Sequence, residues 1–143
     1  MVDVARHARH ISLPDVGVEG QRRLAASSVL VVGAGGLGCP ASLYLAAAGI
    51  GRIGLIDDDA VDLSNLQRQI LHTTADVGAP KVASAKAKLN ALDPNVKVEV
   101  FRQRLNPNNA MEMLKGWDLV VDGTDNLPTC LLYTSDAADD SGC

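Results

Sequence analysis

Apolar residues recur along this chain in two alternating rhythms. Residues 28–32 form a short β-branched run closed by glycines, and residues 52–56 repeat the form. Runs of this kind predict strands buried on both faces of a parallel sheet. Val96, Val98 and Val100 alternate within a third strand at 96–101, and residues 118–122 supply a fourth. Between them, the Ala- and Leu-rich stretch 37–48 predicts a helix, closed by Gly49 just past its last turn. Residues 80–92 predict another, with Val82, Ala85, Leu89 and Leu92 on one face. Shorter helices are expected at 15–26, at 64–71 with Ser64 and Asn65 as its cap, and at 107–115. Strands alternating with helices define an α/β fold. It is a doubly wound, mostly parallel, Rossmann-like sheet covered on both faces. The pattern holds to residue 129. Residues 130–143, from Cys130 to Cys143, break it and read as a non-native tail, which leaves the sheet incomplete at its C-terminal side.

Composition narrows the class. The chain has 143 residues, 47% hydrophobic and 21% charged, with a net charge of −4. These values fit a soluble globular domain and exclude a disordered one. The negative balance argues against a nucleic-acid partner. No apolar run reaches the ~18 residues of a membrane span, and no basic-then-apolar leader opens the chain, so the expected location is cytoplasmic. Three cysteines form neither a Cys-x-x-Cys pair nor a metal-ligand spacing. Cys39, in the first turn of a helix, reads as a small core residue rather than a nucleophile. His72 reads as a helix-end residue.

The chemistry begins at Gly33-Ala34-Gly35-Gly36-Leu37-Gly38, directly after one strand and before one helix. Glycines there permit a tight turn and close backbone approach, and the helix N-terminus offers unpaired N–H groups to a phosphate. Asp57 closes the second strand, 19 residues past Gly38. An acid at that distance reaches a ribose hydroxyl. This pattern leaves NAD and ATP both open. Three further features favour a polyphosphate. Asn65 and Arg68 stand three residues apart, where a helix would put them on one face, and Arg68 can give a charge-assisted contact. Lys81 stands at a helix start, where a cation is unfavourable unless an anion is near. Asp125 and Asn126 follow a strand's carboxyl end, where Asp125 could bind Mg²⁺ and Asn126 the nucleotide.

Together these motifs resemble the ubiquitin-activating-enzyme superfamily. The likeness is to adenylyltransferases that activate sulfur-carrier proteins for molybdopterin or thiamine biosynthesis, and it covers residues 6–129. It rests on Gly33 to Cys39, Asp57-x-Asp59, Ser64-Asn65-Leu66-Gln67-Arg68-Gln69, Gly78-x-Pro80-Lys81 and Asp122-Gly123-Thr124-Asp125-Asn126, in family order and spacing. The resemblance implies that residues 1–129 are the N-terminal part of an ATP-binding adenylation domain. It places Gly33, Gly35, Gly36 and Gly38 at the phosphates and Asp57, with Asp59 beside it, at the ribose. Ser64, Asn65, Leu66, Gln67 and Arg68 would line the ATP site, Lys81 would contact the phosphates, and Asp125 and Asn126 would complete the Mg²⁺ and nucleotide contacts. Arg6-His7-Ala8-Arg9-His10 resembles the family's Arg-Tyr-x-Arg-His/Gln element, with His7 in place of Tyr. Arg9 then acts in trans across a homodimer, and the partner is a ubiquitin-like sulfur-carrier protein. The implied catalytic set is Arg9, Arg68, Lys81 and Asp125. Cys130 stands where the family has arginine. The family's later strands, crossover loop, catalytic cysteine and Cys-x-x-Cys zinc site are expected to be absent from this chain. Two other readings remain at this point: an NAD-dependent oxidoreductase domain, and an inactive fragment or assembly subunit.

Overall fold

In the computed structural model, which describes residues 2–123, the four apolar runs become strands of one sheet. They are β1 (Ser28–Val32), β2 (Arg52–Ile56), β3 (Lys97–Phe101) and β4 (Leu119–Asp122). All pairs are parallel and the spatial order is β3-β2-β1-β4. The chain therefore winds outward from β1 to β3 and then returns to the other side of β1. That reversal opens a crevice at the carboxyl ends of the central strands.

Every residue of β1 is buried, as a strand with neighbours on both edges and layers on both faces requires. Val29 and Val31 join one core cluster with Ile53, Leu55, Val82, Ala85 and Leu89. Leu30 and Val32 point the other way, into a second cluster with Ile56, Leu105 and Ala110. The first face is covered by α3 (Gly38–Ala48) and α4 (Lys81–Leu92), and α5 (Ala110–Leu114) contributes to the second. Gly49 ends α3 with φ 100°, a left-handed cap that glycine adopts at little cost. Gly54 leaves room for the Trp117 ring, 2.5 Å from where a β-carbon would stand, and that ring lies under the Arg52 guanidinium at 3.9 Å.

A latch joins the start of β1 to the entry of β4. The Ser28 N–H donates to Asp118 Oδ2 at 2.8 Å, and the Asp118 N–H lies within bonding distance of both Ser28 Oγ and the Ser28 carbonyl. The N-terminal lead, where a short helix is expected at 15–26, holds α1 (Ala8–Ile11) as well as α2 (Gly17–Ala25). Arg6 fastens it to the body through the Leu92 carbonyl at 3.0 Å and the Asp93 carboxylate at 3.7 Å.

Three expectations need correction. Residues 64–71 do not form a helix. A single 3₁₀ turn at Leu63–Asn65 is followed by irregular turns, and its cap is Asp62, whose carboxylate accepts from the Ser64 N–H and hydroxyl at 2.9 Å each. The helix expected at 107–115 shrinks to five residues, because Asn106 and Asn109 close a local side-chain–backbone turn ahead of it. Leu92 is 40% exposed, so the apolar face of α4 ends at Leu89.

Candidate functional site

The crevice at the strand ends is a cavity of about 510 Å³. Each strand delivers residues to it: Val32 and Gly33 after β1, Ile56 to Asp59 after β2, Gln103 to Leu105 after β3, and Gly123 after β4. Gly35, Gly36 and Leu37 form its floor, and Asn65, Arg68, Gln69 and Lys81 close its side.

Local geometry explains the loop. Gly33 takes φ 93°, which turns the chain sharply out of β1. Gly38 packs so tightly that a β-carbon there would stand 2.8 Å from the Gly33 carbonyl carbon and overlap its oxygen. Asp57 holds the turn from below, accepting from the Ala34 N–H at 2.7 Å and from the Asp59 N–H at 2.8 Å. Among the described residues, the N–H groups of Gly35, Gly36 and Leu37 have no partner. Unpaired donors at the head of an eleven-residue helix are the anion-binding arrangement of helix N-termini.

Two cations meet these donors. Lys81 opens α4, is 6% exposed, and has its ammonium 3.6 Å from Asp59 Oδ2. Asp59 is largely exposed, so this ion pair does little to offset burial of the ammonium, and an anion in the cavity would complete its environment. Arg68 is exposed and donates to the Ser64 carbonyl at 3.3 Å, and its Cδ lies 3.9 Å from the β-position of Gly36. The carboxylates of Asp57, Asp58 and Asp59 stand within 4.8 Å of one another on the same rim.

Of the residues singled out from sequence, Gly33, Gly35, Gly36, Asp57, Asp59, Asn65, Arg68 and Lys81 converge on this cavity. Gly38 supports the loop from beneath. Ser64, Leu66 and Gln67 do not line it; Ser64 and Gln67 are exposed, and Ser64 is engaged by Asp62. The Asn65 amide oxygen accepts from the Asp62 N–H at 3.1 Å. Arg9 sits exposed on α1, away from the cavity of its own chain. Asp125 and Asn126 lie outside the described residues, as does 130–143.

Several lining residues escaped the sequence reading. Gln69 is 4% exposed, and its Oε1 has no hydrogen-bond partner among the described residues. Gln103, Arg104 and Leu105 belong to no motif, and only their place after β3 could have flagged them. His72, read from sequence as a helix-end residue, ends no helix and is 4% exposed beneath the loop, where burial lowers its pKa. Cys39 is fully buried, which pushes its thiol up to about 11 and keeps it protonated at neutral pH. Among the described residues no helix is long and apolar enough to cross a membrane.

Comparison with known proteins agrees with this geometry. A family model described as the ThiF family matches residues 7–139. The probable adenylyltransferase/sulfurtransferase MoeZ of Mycobacterium tuberculosis is 53% identical over 136 residues, which is 95% of this chain and 34% of MoeZ. The sulfur carrier protein adenylyltransferase of Thermus thermophilus is also 53% identical, over 95% of this chain and 50% of its own. Among solved structures, the tRNA N6-threonylcarbamoyladenosine dehydratase TcdA of E. coli, in complex with ATP, superposes with a TM-score of 0.86 at 30% identity. The match covers 95% of this chain and 56% of that one. The chain thus spans between a third and a half of the length of these two curated relatives.

Proposed function

Because the chain belongs to the ThiF family, we propose that it is the nucleotide-binding part of an ATP-dependent adenylyltransferase that activates the C-terminal carboxylate of a ubiquitin-like sulfur-carrier protein. One observation carries this reading. Arg68 and the buried Lys81 converge with the unpaired loop N–H groups on one cavity. That set suits a triphosphate, whereas a hydride-transferring site has no need of the second cation.

The reaction is attack of the carrier carboxylate on the α-phosphorus of ATP. A bond forms between carboxylate oxygen and phosphorus, the bond to the bridging oxygen breaks, and pyrophosphate leaves. The product is an acyl-adenylate. A carboxylate is already ionised at neutral pH, so the step requires no general base, and among the described residues no histidine lines the cavity. The protein's task is alignment and neutralisation of charge on the α-phosphate and the leaving group. Lys81 and Arg68 supply it from this chain, and Arg9 of a second copy supplies it in trans, which makes the working unit a homodimer. Asp57 holds the loop and, as the acid closing β2, is the residue given to the ribose hydroxyls. The family resemblance gives Asp125 to Mg²⁺, and the carboxylate oxygens at 57–59 are hard donors of the kind that ion prefers. Bound there, Mg²⁺ would add positive charge beside the phosphates.

The test is carrier-dependent ATP–pyrophosphate exchange in the full-length protein. Arg68→Ala or Lys81→Ala should reduce exchange by 100-fold or more, on the order of a lost transition-state charge contact. Unchanged exchange would reject their role. Titration with Mg-ATP and with NAD(H) separates the nucleotides, and tight NAD(H) binding without ATP binding would overturn the assignment.

A further inference from the structure

Beneath the phosphate loop lies a buried polar chain that the adenylation chemistry does not use. His72 Nδ1 stands 2.8 Å from Ser84 Oγ on α4, and His72 Nε2 stands 3.2 Å from the Ala34 carbonyl. Both side chains belong to residues 4% exposed. The Cys39 thiol also reaches the Ala34 carbonyl, at 3.1 Å. A carbonyl only accepts, so in the neutral ring Nε2 carries the proton and Nδ1 accepts from the Ser84 hydroxyl. Asp76 also lies near that hydroxyl, its carboxylate held from other sides by the Thr73 N–H at 2.7 Å, the Thr73 hydroxyl and Lys88. The Ala34 carbonyl thus sets the tautomer, and the Ser84 hydroxyl at 2.8 Å complements it from α4.

The consequence follows from peptide geometry. In a trans peptide the carbonyl and the next N–H point in opposite directions. Anchoring the Ala34 carbonyl inward, on His72, turns the Gly35 N–H outward, away from the core. The preceding peptide is pinned separately, by the Asp57 carboxylate on the Ala34 N–H. Without His72 only the Cys39 thiol, a weak donor, opposes a flip of the Ala34–Gly35 peptide, because glycine tolerates either orientation.

We propose that His72 is a positioning residue of the nucleotide site: locked by Ser84, it clamps the Ala34 carbonyl so that the Gly35 N–H is presented to a phosphate. The clamp's purpose rests on reading the cavity as an ATP site.

The test uses the full-length protein with His72→Leu, His72→Gln and Ser84→Ala, each titrated with Mg-ATP. Gln carries an N–H near the position of Nε2, whereas Leu fills the space without a donor. Losing one neutral hydrogen bond predicts about 5- to 10-fold weaker ATP binding for Leu, and about 2- to 3-fold weaker for Ser84→Ala, with Gln returning close to the wild type. Amide exchange at Gly35 in the unliganded protein should slow in His72→Leu, as the flip turns that N–H inward, and recover in His72→Gln. Equal ATP affinity in all four proteins, or a Gln variant as weak as Leu, would overturn the proposal. If Leu does not fold, wild-type behaviour of Ser84→Ala overturns it alone. Should the wild type not bind Mg-ATP at all, the nucleotide reading falls. Amide exchange then still judges the clamp, and exchange unchanged in His72→Leu rejects it.

Discussion

Alanine at Gly38 and alanine at Gly36 should fail in opposite ways. At Gly38 the added methyl overlaps the Gly33 carbonyl, which is backbone and has no rotamer to yield. Restoring an ordinary carbon–oxygen contact of about 3.3 Å would push the turn back by roughly 1 Å or more. That motion strains the Gly33 turn and pulls the Ala34 N–H from Asp57. Overpacking of a tight site costs about 2–3 kcal/mol, which for a chain of this size lowers Tm by roughly 6–10 °C. At Gly36 the methyl meets nothing nearer than Arg68 Cδ at 3.9 Å, and no left-handed backbone angle penalises it. Stability should stay within about 0.5 kcal/mol of the wild type. The methyl stands on the Arg68 side, beside the N–H groups meant for phosphate, so Mg-ATP affinity should fall about 10-fold or more. Urea unfolding and calorimetric titration of both variants make the comparison. A Gly38→Ala protein as stable as the wild type would refute the packing argument, and unchanged ATP affinity in Gly36→Ala would refute the placement of phosphate.

Three shorter predictions accompany it. Burial lowers the pKa of His72 from its ordinary value of 6.5, with Lys81 adding to the shift and Asp76 and Asp57 opposing it. The unfolded chain therefore binds that proton more readily, and stability that is complete above about pH 7 should decline as pH falls through 6.5 and below. His72→Gln should flatten that slope in urea titrations taken from pH 7.5 to 5; a slope identical to wild type would show that another group sets it. The Cys39 thiol should resist iodoacetamide at pH 8 in the folded protein and react in urea, as read by peptide mass mapping; rapid native labelling would contradict its burial. Asp118→Ala should cost about 1–3 kcal/mol by orphaning the Ser28 N–H, measured by chemical denaturation, and a neutral effect would mean the latch is dispensable.

The sheet was readable because its strands are unusually explicit. After a polar first residue, 29–32 and 53–56 are apolar or glycine without a break, which a strand covered on both faces requires, so the bounds read from sequence match β1 and β2. The segment after Asp62 was misread because polar side chains there bond to nearby backbone instead of continuing a helix. Asp62 outbids Ser64 as the cap, a matter of local geometry that residue type alone leaves undecided. Periodicity gave the inner face of α4 but not where the core stops, hence Leu92. At the site, loop glycines, Asp57, Arg68 and Lys81 carry recognisable spacing. Gln103 to Leu105 carry none, and their place depends on how far β3 extends. The placement of His72 carries no sequence signal, since its environment is assembled from Ala34, Cys39 and Ser84, three separate stretches of chain.

The Ser28–Asp118 latch also sets a schedule for the newborn chain. β1 occupies the centre of the sheet, yet the strand that covers one of its edges leaves the ribosome some 90 residues later. Until then a fully buried apolar strand has a bare flank, able to pair with any other extended segment nearby. Synthesis pauses or truncations upstream of residue 118 should therefore yield aggregates rather than a smaller folded unit, and a holding chaperone would find its target in β1.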